Sequence, residues 1–239
     1  MNRRAILGAI VAVGLAAPTI ARPVDHGGGL VRRTIVLGRS VDGSPLRAVE
    51  LGDPRSPHRA LVVGCIHGNE GAGIAIVRRL ATGAVPRSVD LWLIPDLNPD
   101  GFAAQSRGNA HGVDLNRNFG WRWRASSAGV FYSGPRPLSE PESRAAVRLI
   151  ERLRPRVTIW FHQHERTVDD SEGNRRIERR FARLVGLPLR PLAVYPGSAT
   201  SWENHVFRGT SAFVVELPSG RLDSRAIARY ARAVLAATG

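Results

Sequence analysis

The chain has 239 residues, and its 43% hydrophobic and 23% charged residues are ordinary values for a protein with one well-buried domain. The formal net charge is +14, and every basic residue is Arg, which indicates a compositional bias because phosphate and membrane surfaces accept Lys as well. Nothing indicates a specific nucleic-acid-binding function, since zinc-finger spacing, an aromatic RNP-type strand and a basic heptad helix are all missing, and a single cysteine, Cys65, excludes an intramolecular disulfide.

The N-terminus has the pattern of an export signal. Asn2-Arg3-Arg4 precedes an apolar run from Ala5 to Pro18, and Thr19-Ile20-Ala21 supplies a small-residue cleavage site. The run is shorter than the ~20 residues of a membrane-spanning helix, which favours a cleaved signal over a retained anchor. The Arg pair is also typical of twin-arginine signals, so we expect export to the periplasm or to the extracellular side and cell wall. The predicted organisation is a signal over 1–21, a flexible lead-in over 22–30 and one folded domain over 31–239.

Strand-like and helix-like segments alternate through the rest of the chain. The predicted strands are Thr34–Leu37, Leu46–Leu51, Ala60–Cys65, Val89–Ile94, Val157–Phe161 and Ser211–Leu217. The predicted helices are Ile74–Leu80, a helix from a capping box at Ser139 and Glu142 to Leu153, Arg175–Val185 and Ser224–Ala237. This alternation predicts an α/β fold, a single-domain sandwich whose mixed, mostly parallel twisted sheet is flanked by helices.

A long stretch from Pro95 to Pro137 interrupts this alternation. It is crowded with Gly, Asn, Ser and Pro. Stretches of this length without regular structure are usually functional when they lie inside a compact domain. We therefore expect this stretch to contribute to a site.

Three apolar strands each lead into a side chain that can bind or assist a metal ion. The first runs into His67, the second into His162 and the third into Glu216. Because sites in α/β sheets gather at the carboxyl ends of the strands, we expect these three side chains to converge.

The segment His67-Gly68-Asn69-Glu70 presents an imidazole and a carboxylate three positions apart, where a turn can direct both at one cation. A catalytic zinc usually takes three protein ligands and leaves one position open. His162 is the natural third ligand, and His164 is the alternative because both side chains of an extended strand point the same way. Glu165 is expected to be solvated.

The single cysteine and four of the histidines are not expected to take part in the site. Cys65 lies within a predicted buried strand and is expected to be a small core residue. Four histidines lack convergent partners and are expected on the surface: His26, His58, His111 and His205.

Five ordered motifs resemble those of the M14 zinc carboxypeptidases. They are His67-Gly68-Asn69-Glu70, Asn98-Pro99-Asp100-Gly101, Gly112-Val113-Asp114-Leu115-Asn116-Arg117-Asn118-Phe119, Phe161-His162 and Val215-Glu216-Leu217-Pro218. The resemblance extends over roughly residues 45 to 220 and implies a zinc carboxypeptidase-like domain. The compact chain, Tyr195-Pro196-Gly197-Ser198 and Val168-Asp169-Asp170 are most similar to the bacterial murein-peptide amidase branch.

For the metal site, the resemblance implies one Zn²⁺ ion on His67, Glu70 and His162. It also implies that Glu216 is the general base, which activates water and returns the proton to the leaving amine. Asp114 would accept a hydrogen bond from the metal-binding His67 and fix its tautomer, as carboxylates behind such histidines commonly do.

For the substrate, the resemblance implies that Asn116 and Arg117 hold the free carboxylate of the residue that is removed. Arg107 would polarise the scissile carbonyl, although a simple surface charge is the alternative in a chain this rich in Arg. Tyr195 either covers the substrate or packs against the protein, and the sequence leaves both alternatives open.

These roles predict a hydrolase that cuts an amide bond next to a free carboxylate in a peptide outside the cytoplasm. The substrate would be a murein peptide, cut between γ-linked D-glutamate and diaminopimelate, or an ordinary peptide. Thr200 lies near the position that usually sets side-chain preference. Because it is neither acidic nor strongly apolar, it does not distinguish a murein peptide from an ordinary peptide as the substrate. Two alternatives remain: an N-acyl amino-acid deacylase of the aspartoacylase or succinylglutamate desuccinylase type, and a non-catalytic peptide-binding relative.

Overall fold

The computed structural model describes residues 29–127 and 129–239. The predicted signal over 1–21 lies outside the described residues, as does most of the predicted lead-in over 22–30. Within the described ranges, no helix is both long enough and apolar enough to cross a membrane.

In the described part of the chain, eight strands form one mixed sheet. They are β1 (Val31–Arg39), β2 (Pro45–Gly52), β3 (Arg59–Val63), β4 (Asp90–Ile94), β5 (Val157–Gln163), β6 (Thr167–Asp169), β7 (Leu189–Arg190) and β8 (Ser211–Leu217). Their order is β1-β2-β4-β3-β5-β8-β6-β7. The central strands β4, β3, β5 and β8 run parallel, whereas β2 on one side and β6 on the other join them in antiparallel pairs. The prediction of a mixed, mostly parallel sheet is confirmed.

Helices cover both faces of this sheet. They are α1 (Ala72–Thr82), α2 (Pro99–Ala104), α3 (Pro141–Leu153), α4 (Arg175–Val185), α5 (Ala199–Val206) and α6 (Ser224–Thr238). One face packs against α1, α4 and α6 around buried Val62 and Phe161. The other packs against α3 and α5 around buried Leu61 and Trp160. Because the central strands are covered on both faces, they read as nearly continuous apolar runs.

Within its described residues, the long loop predicted from Pro95 to Pro137 contains only α2 and a 3₁₀ turn at Leu115–Arg117. Side-chain amides order it. Asn98 Oδ1 accepts a hydrogen bond from the N–H of Gly101 at 3.0 Å, which caps α2. Asn118 is fully buried, and its Nδ2 donates to a loop carbonyl at 2.8 Å. The Asn residues therefore satisfy backbone groups that regular structure would satisfy elsewhere.

The predicted capping box at Ser139 and Glu142 is wrong. The residue that precedes α3 is Glu140, and its side chain makes no capping hydrogen bond. Ser139 Oγ donates to Glu140 Oε1 at 2.6 Å, and Glu142 Oε1 accepts from the N–H of Val41 at 3.0 Å. The Ser139 hydroxyl and the Glu142 carboxylate therefore form hydrogen bonds other than those of a capping box at the start of α3. The sequence also does not predict α5, β6 or β7, which have only eight, three and two residues.

Candidate active site

Three neighbouring strands bring the predicted chemistry to one edge of the sheet. β3, β5 and β8 are adjacent and parallel, so their carboxyl ends meet. His67 follows the end of β3, His162 lies near the end of β5, and Glu216 lies near the end of β8. His162 and Glu216 are direct partners in the register of β5 and β8. The predicted convergence of these side chains is present in the fold.

A tight turn brings His67 and Glu70 together. The N–H of Glu70 donates to the His67 carbonyl at 2.9 Å. Gly68 lies so close to the backbone of Gly101 that an added Cβ would be 1.9 Å from the Gly101 carbonyl carbon. A side chain cannot be accommodated at that distance, so this turn requires glycine.

The side chains of His67, Glu70 and His162 form a buried group of three donors, called the three-donor group below. Their ligand atoms all lie within 4.8 Å of one another. His67 Nδ1 is 2.9 Å from Glu70 Oε1, and His162 Nδ1 is 3.0 Å from Glu70 Oε2. Two imidazole nitrogens and one carboxylate are a donor set that catalytic zinc takes in proteins. The described residues contain no second group of His, Cys, Asp and Glu with this spacing.

Asp114 fixes the ring of His67. It is fully buried, and its Oδ1 accepts a hydrogen bond from His67 Nε2 at 3.0 Å. With the proton on Nε2, the lone pair of Nδ1 faces Glu70 and is available to a metal ion. Burial alone would raise the pKa of Asp114, but the hydrogen bond from His67 and the charges of Arg107 and Arg117 hold this pKa well below its usual range. Asp114 therefore acts as an ionised acceptor.

Arg107 connects two of these carboxylates. Its Nε donates to Asp114 Oδ2 at 2.9 Å, and its Nη1 donates to Glu70 Oε1 at 3.1 Å. The side chain is only 23% exposed, and the guanidinium lies 5.3 Å from the centre of the Phe131 ring. Arg107 therefore belongs to the site, and the alternative of an isolated surface charge does not apply.

A cavity of about 780 Å³ lies over the three-donor group. Eight of the nine predicted site residues line this cavity, and the ninth, Asp114, lies behind His67. One cavity therefore contains both the predicted metal ligands and the predicted substrate contacts.

Asn116, Arg117 and Tyr195 form one wall of the cavity. Asn116 Oδ1 accepts from the N–H of Ala199 at 2.9 Å, and its Nδ2 has no partner among the described residues. Arg117 Nη1 donates to the Asn116 carbonyl at 2.9 Å, and its Cζ lies 4.0 Å from the centre of the Tyr195 ring. Tyr195 is 50% exposed, so it lies over Arg117 at the surface of the cavity and not in the core.

Glu216 presents a carboxylate to the same cavity. The only backbone donor near it is the N–H of Glu165, 3.5 Å from Oε2, among the described residues. Burial raises the pKa of Glu216 above its ordinary value, and the charge of Glu70 raises it further against the opposing charge of His162. A weakly bonded carboxylate can accept and release a proton, as a general base must.

Other predicted residues lie as follows. His164 lines the cavity but is exposed and outside the three-donor group, so the geometry favours His162 as the third ligand. Cys65 is fully buried, as predicted, and its Sγ donates to the His67 carbonyl at 3.1 Å. Three histidines are exposed, as predicted: His58, His111 and His205. The fourth, His26, lies outside the described residues.

Sequence reasoning misses Gln163, which connects the Glu70 carboxylate, the start of α1 and the segment after β8 by hydrogen bonds. Its N–H donates to Glu70 Oε2 at 3.1 Å, and its Oε1 accepts from the N–H of Ala72 at 3.0 Å. Its Nε2 donates to the carbonyl of Pro218 at 2.8 Å. The only local signal is its position directly after His162.

Comparison with known proteins gives consistent matches. Residues 30–168 match the family model Peptidase_M14, zinc carboxypeptidase. Murein peptide amidase A of Escherichia coli (strain K12) is 30% identical over 200 residues, covering 77% of this chain and 81% of that protein. Murein peptide amidase A of Vibrio campbellii is 32% identical over 200 residues, with 76% and 77% covered.

Solved structures share the fold. Murein-tripeptide amidase MpaA from Escherichia coli O157 superposes with a TM-score of 0.72 and 27% identity, covering 91% of this chain and 97% of that chain. Carboxypeptidase A from Helicoverpa armigera has a TM-score of 0.71 at 20% identity, covering 86% and 69%, a likeness of fold.

Proposed function

Because the chain belongs to the M14 zinc carboxypeptidase family, and is therefore a metal-dependent hydrolase, we propose that it is exported and that it hydrolyses an amide bond next to a free carboxylate in a murein peptide. The bond proposed is the one between γ-linked D-glutamate and diaminopimelate. The observation that carries the proposal is a single cavity lined by the three-donor group, by Glu216 and by Asn116 with Arg117.

The metal we propose is one Zn²⁺ ion held by His67, Glu70 and His162. When bound, zinc supplies a Lewis acid for a carbonyl and lowers the pKa of water to about 7. The donor set fits this ion, because the hydrogen bond from His67 Nε2 to Asp114 leaves Nδ1 unprotonated beside the Glu70 carboxylate.

Glu216 is the proposed proton carrier. It takes a proton from the attacking water and returns it to the departing amine, so that one water is consumed and a carboxylic acid and an amine are released. Its position opposite His162 in the strand register supports this role, since the carboxylate lies beside the three-donor group.

Arg107 is the proposed oxyanion donor. Two of its five N–H groups bind Glu70 and Asp114, which leaves others for the carbonyl oxygen of the substrate. A donor of this kind contributes on the order of 3 kcal/mol to transition-state stabilisation.

The wall at Asn116 and Arg117 is the proposed binding site for the free carboxylate. The guanidinium of Arg117 can give two parallel hydrogen bonds to a carboxylate, and Asn116 Nδ2 can add a third. Tyr195 would cover the bound residue from the cavity mouth. This geometry restricts cleavage to the amide bond of the last residue.

Two murein peptide amidases are similar to this chain over about three quarters of its length. This similarity supports a cell-wall peptide over an ordinary peptide as the proposed substrate. The family match also supports this reaction over the N-acyl amino-acid deacylase alternative. To test the reaction, the purified protein is incubated with a murein tripeptide and with ordinary dipeptides, each with and without a chelator. Chelator-sensitive release of diaminopimelate is expected. Cleavage of ordinary peptides alone would contradict the murein substrate, and cleavage that resists chelation would contradict the metal.

Export is proposed from the N-terminal pattern alone. The full chain, and a chain with Arg3 and Arg4 both replaced by Lys, are expressed with a C-terminal tag and fractionated. We expect the tag outside the cytoplasm, with a shortened N-terminus, for the full chain. A full-length chain retained in the cytoplasm would contradict export.

A further inference from the structure

The arginines of the chain are unevenly distributed over the two faces of the sheet. Helices α1, α6 and α4 cover one face, and α6 contacts both of the others. The outward sides of these three helices, called the basic face below, carry ten exposed arginines: two on α1, three on α6 and five on α4. The only acidic residue within the three helices is Glu178, which is fully buried.

The helices on the opposite face of the sheet have mixed charges. There α3 contributes exposed Arg148 and Arg152 together with exposed Glu151, and α5 contributes no arginine. The whole chain has 34 basic and 20 acidic residues, so a compositional bias alone would give both faces a mixture of charges. The basic face therefore results from how the fold distributes its arginines, in addition to the bias.

Most of these arginines have no carboxylate partner. Among the described residues, only Arg175 of the ten forms an ion pair, with Asp170 at 2.9 Å. On α6, Arg225, Arg229 and Arg232 lie four and three residues apart, so they share one side of the helix. Like charges at this spacing repel one another and destabilise a helix, and an anionic partner would relieve the repulsion.

The side chains of the basic face favour a hydrated polymer over a lipid bilayer as the partner. Helices that lie on a membrane insert large apolar side chains among the lipids. In these three helices, all of whose residues are described, the only exposed large apolar side chain is Leu184 on α4. Binding would therefore depend on charge, as it does in proteins that bind polymers of closely spaced anionic groups.

The basic face is continuous with the catalytic cavity. A second cavity of about 1020 Å³ lies between α1 and α6. Its lining contains Arg78, Arg79 and Arg221 and no Asp or Glu. Three residues line both cavities: Asn69, Gln163 and Gly220. A polymer bound to the basic face would therefore extend to the proposed reaction centre along positively charged surface.

We propose that the basic face binds murein as a polymer, through the free carboxylates of its peptides, and so holds the enzyme on the material that contains its substrate. Three features support this partner: the charge of the face, its lack of apolar side chains that could enter a bilayer, and its continuity with the catalytic cavity. The choice of murein rests on the proposed function, whereas the binding of a polyanion follows from the face itself.

The test measures how much of the purified protein sediments with insoluble murein as the salt concentration rises. We expect binding at low salt that weakens steeply with added salt, because the arginines displace counterions. Murein whose carboxylates have been converted to amides should be bound at least about 10-fold more weakly. Replacing Arg225, Arg229 and Arg232 together by Gln should weaken binding to unmodified murein by about 10- to 100-fold, since three cationic contacts are lost.

The matched control replaces Arg47, Arg148 and Arg208 together by Gln. These three are also exposed but lie outside the basic face, so the formal net charge falls by the same amount and the face stays intact. Binding to murein should change by less than about twofold, because it depends on the local charge of the face. Circular dichroism verifies the folding of both triple variants.

Cleavage of a soluble murein tripeptide is measured in parallel, and both triple variants should cleave it at the unmodified rate, because so small a substrate needs only the catalytic cavity. If no protein cleaves it, the proposed function fails, and the sedimentation results still decide the inference. Equal binding by the two triple variants, or equal binding of amidated murein, would overturn the inference. Tighter binding to DNA or to phosphatidylglycerol vesicles, at equal concentrations of anionic groups, would also overturn it and identify a different polyanion or a membrane as the partner.

Discussion

Replacing Asp114 with Asn tests whether the Asp114 carboxylate fixes the tautomer of His67 at the proposed metal site. Asp114 accepts hydrogen bonds from His67 Nε2 at 3.0 Å and from Arg107 Nε at 2.9 Å, on different oxygens. An amide has one oxygen, so its N–H₂ must face either Arg107, donor against donor, or His67 Nε2. The second orientation moves the His67 proton to Nδ1, where the lone pair for the metal is needed. Loss of such an outer hydrogen bond costs about 10- to 100-fold in metal affinity, or about 1.4 to 2.7 kcal/mol.

The assay is a competition titration of Zn²⁺ against a chromophoric chelator, with circular dichroism to verify folding. Asp90→Asn is the matched control. Asp90 is also buried and accepts a hydrogen bond from Trp92 Nε1 at 3.0 Å, but it begins β4 and so lies at the opposite edge of the parallel strands. A folded Asp114→Asn protein that binds zinc within about twofold of the unmodified protein would refute the tautomer argument, given the expected size of the effect.

Three further substitutions have defined outcomes. Glu216→Gln should lower kcat by about 10²- to 10⁴-fold with zinc affinity retained, as measured by steady-state kinetics and metal titration, and full turnover would rule out the general base. Arg117→Lys should lower kcat/KM for substrates with a free carboxylate by about 10-fold, because an ammonium cannot give two parallel hydrogen bonds, and unchanged kinetics would contradict the carboxylate site. Burial raises the pKa of Glu203 to about 8. Between pH 4.3 and 8, roughly, the folded chain therefore keeps a proton on Glu203 that the unfolded chain has lost. The free energy of unfolding should consequently fall as pH rises from about 4.3 towards 8. Glu203→Gln should remove that fall and raise Tm at pH 9 far more than at pH 4, and parallel Tm-against-pH curves for the two proteins would contradict it.

The parts of the fold that could be predicted from sequence are those whose pattern is local and long. β3, β5 and β8 are buried on both faces and appear as apolar runs, and parallel strands must bring their carboxyl ends together. The positions of His67, His162 and Glu216 follow from that geometry. The short elements α5, β6 and β7 could not be predicted, because two to eight residues carry too little periodicity to separate them from loops.

Residues whose partners lie far along the chain were equally hidden. Glu172 belongs to the cavity because Ser201, 29 residues later, binds it at the start of α5. For Ser139 and Glu142 the local pattern of a capping box is present, but the prediction is wrong. The N–H of Val41, about a hundred residues earlier in the chain, donates to the Glu142 carboxylate instead. Local patterns describe what a segment can do alone, and tertiary contacts decide among those options.

The pairing of His162 with Glu216 in the register of β5 and β8 makes enzymatic activity a measure of strand alignment. Since side chains alternate across a strand, a slip of one residue would place Val215 or Leu217 opposite His162 and turn the carboxylate of Glu216 to the other face of the sheet. A misaligned chain could keep its helices and much of its apolar core and still be inert. After refolding from denaturant, the fraction of active sites therefore counts the molecules whose central strands have paired correctly, which a signal from helix content alone would overestimate.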